Sequence, residues 1–382
     1  MMQSGFTHRN PTNFFPAQTE GEYTGEIPQP EPGKEPVVQS PPDAKKAARG
    51  TSPRRSAKPG PDGPLIKAEH VDFLFASDLG VHDLTFQVPY GVIFGLVGPS
   101  GCGKTTTVRL LSGMYSPTKG RLSVLGEEPN RFSSRAREDI GYMAQHLTLY
   151  PMLTVNENLN FAASLYGMGL LSRGRRLKSL LKFVELYDAR NRLASKLSGG
   201  MQRRLQLACA LAHDPRLIFA DEPTAGTDPV LRGKFWEHFR SLRDEGHTLF
   251  VTTQYIGEIE HCDVVGIMQA GRLLFVDTPE GLRRRAFGGD VVRLAVDASR
   301  ALEAVQVLNA QDIVSDARRS FGQPGLIYVS TSDAATAMPQ LIAALRDHGI
   351  DVQEAERYIA PFDDVFIELM KQAGDERAGG EE

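Results

Sequence analysis

An α/β fold organised on a largely parallel core sheet is what this 382-residue sequence predicts. Three observations carry the prediction. Short apolar runs alternate with helical stretches, as strands do in a sheet that is covered on both faces. One such run, residues 92–98 (VIFGLVG), leads through a glycine-rich turn directly into a helical stretch. Another, residues 217–220, ends on two adjacent acids, Asp221 and Glu222.

Taken in order, residues 1–63 hold 11 of the chain's 24 prolines and no sustained helical or strand period. Such a segment buries too little apolar area to offset its ordering entropy, so it reads as disordered. Its alternatives are a plain spacer or a docking tail using Pro28, Pro30 and Pro32. Order begins near Leu65, where residues 65–75 and the alternating residues 81–88 read as strands, followed by the buried strand 92–98. Residues 105–113, 177–187 and 201–213 read as helices, and 217–220 and 249–252 as short strands. These elements fill a unit over residues 64–289.

The pattern changes at Gly288-Gly289. Residues 291–296, 301–308, 313–317, 326–330, 334–345 and 352–359 spell β-α-β-β-α-β, the order of a small ferredoxin-like α+β unit. A closing helix follows, with Val365, Phe366, Leu369 and Met370 as its apolar side. This accessory unit is assigned residues 290–371, and 372–382 a flexible tail. No internal repeat of 20–50 residues is present.

Composition excludes several classes. A net charge of −4 gives no basic footprint for nucleic acid. No uninterrupted apolar run is long enough to cross a membrane, and the first residues lack a charged head and apolar block. Cys102, Cys209 and Cys262 are odd in number and far apart, which fits free thiols in a reducing compartment; Cys209, in an apolar helix, reads as a small buried hydrophobe. The chain is expected to be cytoplasmic, with any membrane role exercised through a partner.

Two motifs carry chemistry. Gly98, Pro99, Ser100, Gly101, Cys102, Gly103, Lys104 and Thr105 fit the spacing G-x-x-x-x-G-K-[ST], and Thr106 continues it into the helix. A triphosphate needs many aligned backbone donors close in, which glycines and a helix N-terminus supply. Lys104 would reach the β- and γ-phosphates, and the Thr105 hydroxyl would ligate Mg²⁺. Chance alone produces the pattern in about 1% of chains of this length, and here it also lies between a strand and a helix. Asp221 and Glu222 alone would pass for a solvated turn. At the carboxyl edge of the same sheet, however, Asp221 suits Mg²⁺ and Glu222 the attacking water.

Between these motifs lies Leu197-Ser198-Gly199-Gly200-Met201-Gln202, opening a helix. Together with GPSGCGKTT and FADEPT, in this order, it resembles the signature of the ABC-transporter ATPase family, over about residues 65–282. The resemblance implies a P-loop NTPase of ABC type, with an antiparallel β subdomain and a helical subdomain beside the parallel core. It implies ATP and Mg²⁺ as ligands, and ATP hydrolysis by two copies that sandwich two nucleotides. Ser198, Gly199 and Gly200 would then meet the γ-phosphate bound by the other protomer. Gln145 matches the glutamine that senses Mg²⁺ and the γ-phosphate, and Asp228 the aspartate of the dimer-crossing loop. Phe75 lies where the family has an aromatic that stacks on adenine, the alternative being a core phenylalanine.

One position departs from the family pattern. Where a histidine usually follows the last core strand, this chain has Gln254, in Thr252-Thr253-Gln254-Tyr255. Glutamine donates a hydrogen bond but carries no titrating proton near neutral pH. The expectation is slow but genuine hydrolysis, since Lys104, Asp221 and Glu222 are intact.

The C-terminal unit and the single ATPase domain resemble the daunorubicin-resistance-like exporter branch. That implies a separate transmembrane permease as partner, a homodimer, and peripheral attachment at the cytoplasmic face. The permease would contact residues 145–166, notably Tyr150, Pro151 and Met152. Competing readings are a soluble ABC-type ATPase acting on ribosomes or DNA, and a slow regulator in which ATP merely holds the dimer. The first usually has two ATPase domains or a long coiled coil, and this chain shows neither.

Overall fold

The computed structural model describes residues 63–75, 79–320 and 322–378. The proline-rich segment expected to be disordered lies outside the described residues except for Gly63, as does the end of the tail, 379–382. Strands β1 (Ile66–Leu74), β2 (Gly80–Val88), β3 (Ile93–Val97), helix α1 (Lys104–Leu111) and β4 (Lys119–Val124) come first. Then follow α2 (Ser134–Glu138), β5 (Ile140–Met143), α3 (Val155–Leu165), α4 (Leu170–Phe183), α5 (Gly199–Ala210) and β6 (Leu217–Asp221). The main unit closes with α6 (Pro229–Asp244), β7 (Thr248–Thr253), a 3₁₀ turn at Ile256–His261, β8 (Val264–Gln269), β9 (Arg272–Asp277) and α7 (Pro279–Phe287).

The central sheet has the order β5-β6-β7-β3-β8-β9, and every pair is parallel except β8–β9. Its inner strands are apolar throughout because both faces are covered. Strict alternation divides their side chains between two cores. Ile93, Val97, Ile218, Ala220, Leu249 and Val251 face the helical side with α3, α4, α5 and α6. Phe94, Leu96, Leu217, Phe219 and Phe250 face α1 and a three-stranded antiparallel sheet of order β2-β1-β4. Phe86, Phe94 and Phe250 stack there with centroids 5.5 and 5.0 Å apart, joining the two sheets.

Residues 290–358 form a separate antiparallel sheet: β10 (Asp290–Val296), α8 (Ala301–Asn309), β11 (Val314–Arg319), β12 (Leu326–Thr331), α9 (Ala334–Asp347) and β13 (Val352–Tyr358). The strand order β11-β12-β10-β13 and a core of its own make it a ferredoxin-like α+β unit.

The closing helix, α10 (Phe362–Ala378), differs from expectation in two ways. It runs through Ala378, past the Lys371 boundary at which a flexible tail was expected to begin. Its apolar side is also buried in the main unit: Phe362, Val365, Leu369 and Ala373 join the helical-side core, against α7 and the 3₁₀ turn. The periodicity of the helix reveals an apolar side but not which core receives it. Arg283 fixes the return, lying 4.0 Å over the Phe362 ring and donating to the Ala360 carbonyl at 3.1 Å.

Helix ends also differ. The expected helix 177–187 stops at Phe183, because the chain turns through Glu185 at φ 57°. The expected helix 201–213 begins at Gly199 and ends at Ala210. All three cysteines are free, Cys102 and Cys262 buried and Cys209 half-buried against the core. Among the described residues, no helix is long and apolar enough to cross a membrane.

Candidate functional site

The carboxyl ends of β3, β6 and β7 meet at one edge of the central sheet, and the motif residues gather there. The turn from β3 to α1 is the glycine-rich segment. A Cβ at Gly98 would fall 2.1 Å from the Met268 carbonyl oxygen and 2.7 Å from Cys102 Sγ, so only glycine fits. Gly103, at φ 108°, is the N-cap of α1 and also needs the freedom of glycine. Pro99, Ser100 and Gly101 are exposed on the turn, Cys102 is buried beneath it, and Thr106 is half-buried in the first helical turn. Burial pushes the Cys102 thiol above its ordinary pKa, against the opposing pull of Lys104.

Lys104 is 4% exposed. Its Nζ donates to the carbonyls of Gly98 and Pro99 at 2.9 and 3.0 Å and stands 3.3 Å from Glu222 Oε1. Gln145 Nε2 donates to the other Glu222 oxygen at 3.2 Å. The Thr105 hydroxyl donates to Asp221 Oδ1 at 3.2 Å. Burial is the main influence on Asp221, holding its carboxyl above the usual range against opposing bonds from Thr252 and Thr105. The cradle lysine, both acids, the threonine and the glutamine thus form one cluster, although they are spread over residues 104–222 of the chain.

Thr252 is a member that sequence reasoning missed. It is fully buried; its hydroxyl donates to Asp221 Oδ1 and accepts from the Glu222 backbone N–H at 2.9 Å. The Glu222 N–H also points to the Thr252 carbonyl at 3.1 Å, and Glu222 has φ 47°. The acid pair is therefore pinned to β7 in a backbone conformation that a glutamate seldom adopts. The only sequence signal was a pair of threonines ending an apolar strand. Gln254 lies just past them, exposed at the end of β7.

Phe75, immediately after β1, is 41% exposed, edge-on to Phe73 at 4.9 Å and to Tyr115 at 5.8 Å. It is not a core phenylalanine. Ser198 is the exposed N-cap of α5, its side chain accepting from the Met201 N–H. Asp228 caps α6 in the same way, from Leu231 N–H at 2.9 Å. The two caps are neighbours, for a Cβ on Gly200 would fall 2.4 Å from Leu231 Cδ2. A groove of about 200 Å³ runs between them, lined in part by Gly199, Gly200, Arg203, Gly226, Thr227 and Asp228. No residue of the cradle lines it.

The segment after Gln145 is gripped from α5. Arg203 donates to the carbonyls of Ala144 and Gln145, and Gln206 to those of Ala144 and His146. Further along, the buried Asn158 amide holds the turn before α3. Its Oδ1 accepts from Tyr150 N–H at 2.8 Å, and its Nδ2 faces the carbonyls of Tyr150, Leu153 and Thr154. Outside this frame Leu147, Tyr150, Met152, Phe161 and Leu165 remain exposed, Met152 at 76%.

The chain is similar to known proteins in both sequence and fold. The sequence model of the family described as "ABC transporter" matches residues 81–225. The chain is 33% identical over 310 residues to the daunorubicin resistance ATP-binding protein DrrA2 of Streptomyces coeruleorubidus, covering 81% of this chain and 95% of that one. It is 36% identical over 226 residues to the probable multidrug ABC transporter ATP-binding protein YbhF of Escherichia coli, covering 59% of this chain but only 39% of that longer protein. Among solved structures, one titled as the ATP binding subunit of an ABC transporter superposes with a TM-score of 0.54 at 28% identity, covering 59% of this chain and 93% of that one. Identity over nearly the full length of a relative, the match to the family's sequence model and the shared fold lead to one conclusion: the chain belongs to the ATP-binding proteins of the ABC transporter family.

Proposed function

We propose that this protein is the ATPase of an exporter: two copies close around two ATP·Mg²⁺, hydrolyse them, and drive a separate transmembrane permease at the cytoplasmic face of the membrane. The observation that carries the reading is the cluster at one sheet edge, where Lys104 and Gln145 both contact Glu222.

The donor set suits the ligands. Thr105 and Asp221 offer a hydroxyl and a carboxylate oxygen side by side, the hard-oxygen pair a Mg²⁺ ion takes in phosphate sites. Bound there, the ion would supply charge neutralisation to the phosphate oxygens. The glycine-rich turn and the first turn of α1 donate backbone N–H groups to the phosphates. Lys104 exchanges its contacts on Glu222 and the turn carbonyls for phosphate oxygens. That exchange frees Glu222 to accept a proton from the attacking water, with Gln145 aligning the carboxylate. Gln254, exposed at the end of β7, donates to the γ-phosphate but carries no titrating proton, which makes turnover slow.

Ser198, Gly199 and Gly200 offer a capped helix tip outside this protomer's own cradle, which supports a role in the site of a second copy. Phe75, exposed at the rim, is available to adenine. The apolar patch at Leu147, Tyr150 and Met152 suits a short helix of the permease. The export direction is supported by relatives named for daunorubicin resistance, multidrug transport and Nod factor export.

Purified protein with ATP·Mg²⁺ tests the reading. Glu222→Gln is expected to abolish phosphate release, retain nucleotide and accumulate as a dimer in size-exclusion light scattering. A variant that stays monomeric with ATP·Mg²⁺, even with the permease supplied, overturns the proposal.

A further inference from the structure

The main unit holds a third buried carboxylate close to the acid pair Asp221 and Glu222. Glu258, on the 3₁₀ turn, is 2% exposed. The Thr224 hydroxyl donates to its Oε1 at 2.6 Å and the Thr253 hydroxyl to its Oε2, while Arg232 Nε stands 3.6 Å from Oε1. Each partner leads to a functional loop. Thr224 is two residues past Glu222, and its carbonyl accepts from the Thr227 hydroxyl at 2.6 Å, shaping the turn that ends at Asp228. Thr253 immediately precedes Gln254, and its hydroxyl also accepts from Tyr255 N–H at 3.0 Å. Arg232 belongs to α6, the helix Asp228 caps, and lies 4.1 Å over the Tyr255 ring.

A carboxylate in such a place costs several kcal/mol in desolvation unless fully paired, and an apolar side chain would fill the space at lower cost. Here both oxygens are used, each by a threonine within two residues of one that the proposed function places at ATP. The turn that carries Glu258 is itself backed by α10.

We propose that Glu258 is a positioning residue for ATP hydrolysis: by holding Thr224 and Thr253 together, it fixes the backbone of Gln254 against the loop of Glu222 and Asp228. The inference rests on the function proposed above, since it assigns Glu258 to the hydrolytic step. Both Glu258 oxygens are taken by the Thr224 and Thr253 hydroxyls, so its loss is expected to act on the rate and not on nucleotide affinity.

Glu258→Gln keeps the shape, removes the charge facing Arg232 and turns one acceptor into a donor aimed at a hydroxyl. With the full chain and ATP·Mg²⁺, kcat for phosphate release is expected to fall about tenfold or more, while affinity for trinitrophenyl-ATP changes less than about threefold. Thr253→Val, which spares the buried carboxylate, is expected to reproduce the loss, and Thr253→Ser to restore turnover. Hydrogen exchange at the Tyr255 amide should quicken in Glu258→Gln, with β3 amides unchanged. Wild-type kcat in Glu258→Gln and Thr253→Val overturns the inference, as does an equal loss of affinity. A wild-type chain that releases no phosphate sinks the proposed function instead, and unchanged Tyr255 exchange then sinks the inference by itself.

Discussion

His213 should make the main unit sensitive to mild acid. The ring stacks on Tyr166, centroids 3.5 Å apart, and its Nε2 reaches the Ile140 carbonyl at 3.0 Å. A carbonyl only accepts, so Nε2 carries the proton and Nδ1 is bare; Nδ1 is also buried without a protein partner. Protonation would place a second N–H where nothing accepts it. Burial accordingly lowers the folded-state pKa from 6.5 to about 4, and Asp214, which would oppose this, is engaged by Arg176 at 2.7 Å.

The sign follows from proton uptake. Between about pH 6.5 and 4 the unfolded chain binds the proton and the folded one does not, so the stabilisation present above the unfolded pKa is lost as pH falls. At about 1.4 kcal/mol per pKa unit the full loss is about 3 kcal/mol, of which about 1.4 kcal/mol falls between pH 7.5 and 5.5. His213→Gln keeps a donor for the Ile140 carbonyl and does not titrate. Urea unfolding can be followed by Trp236, the chain's one tryptophan, fully buried in the same unit. The wild type should lose about 1.4 kcal/mol more than the variant across that pH interval. Equal losses in the two proteins would refute the argument.

Other perturbations test other parts of the site. Asn158→Ala strands the Tyr150 N–H and the carbonyls it faces, at about 1–3 kcal/mol for each buried group left unpaired; thermal melting should fall, and capture of the permease with it. Gly98→Ala drives a methyl into the Met268 carbonyl, an overpacking of about 1–3 kcal/mol that should weaken ATP binding about tenfold or more, read by nucleotide titration. Gln254→His adds a titrating group at the end of β7 and should raise phosphate release; unchanged turnover, with Glu222→Gln inactive, would leave Glu222 as the one key group. Tyr150→Glu with Met152→Glu should abolish permease binding while leaving basal phosphate release intact, and retained binding would count against the coupling surface.

What the sequence revealed depended on how local the signal was. The C-terminal strands and helices could be read almost end to end, because period-2 and period-3.6 patterns alternate there without interruption. The cradle and acid pair were equally plain, since both motifs lie on contiguous residues. Helix ends were less so: Leu186 and Tyr187 extend the apolar pattern of α4, yet the left-handed turn at Glu185 ends it. Helices α3 and α6 carried usable signals that went unread, the capping box of Thr154 and Glu157 and the cap-plus-proline of Asp228-Pro229. Glu258 and Asn158 had no local signature, and Thr252 only the threonine pair that ends β7. Their importance arises from partners 30 or so residues away or from a buried backbone turn, and a single chain of letters does not say which hydroxyl meets which carboxylate.

The return of α10 to the main unit changes what kind of appendage residues 290–358 are. Anchored by α7 at its entry and α10 at its exit, the small sheet is mounted as a handle is, by both ends. Stopping the chain before Phe362 would strip Phe362, Val365, Leu369 and Ala373 from the core that also holds Leu282 and Ile259. Helix α10 is a structural part of the main unit, and truncations intended to isolate that unit must carry it along.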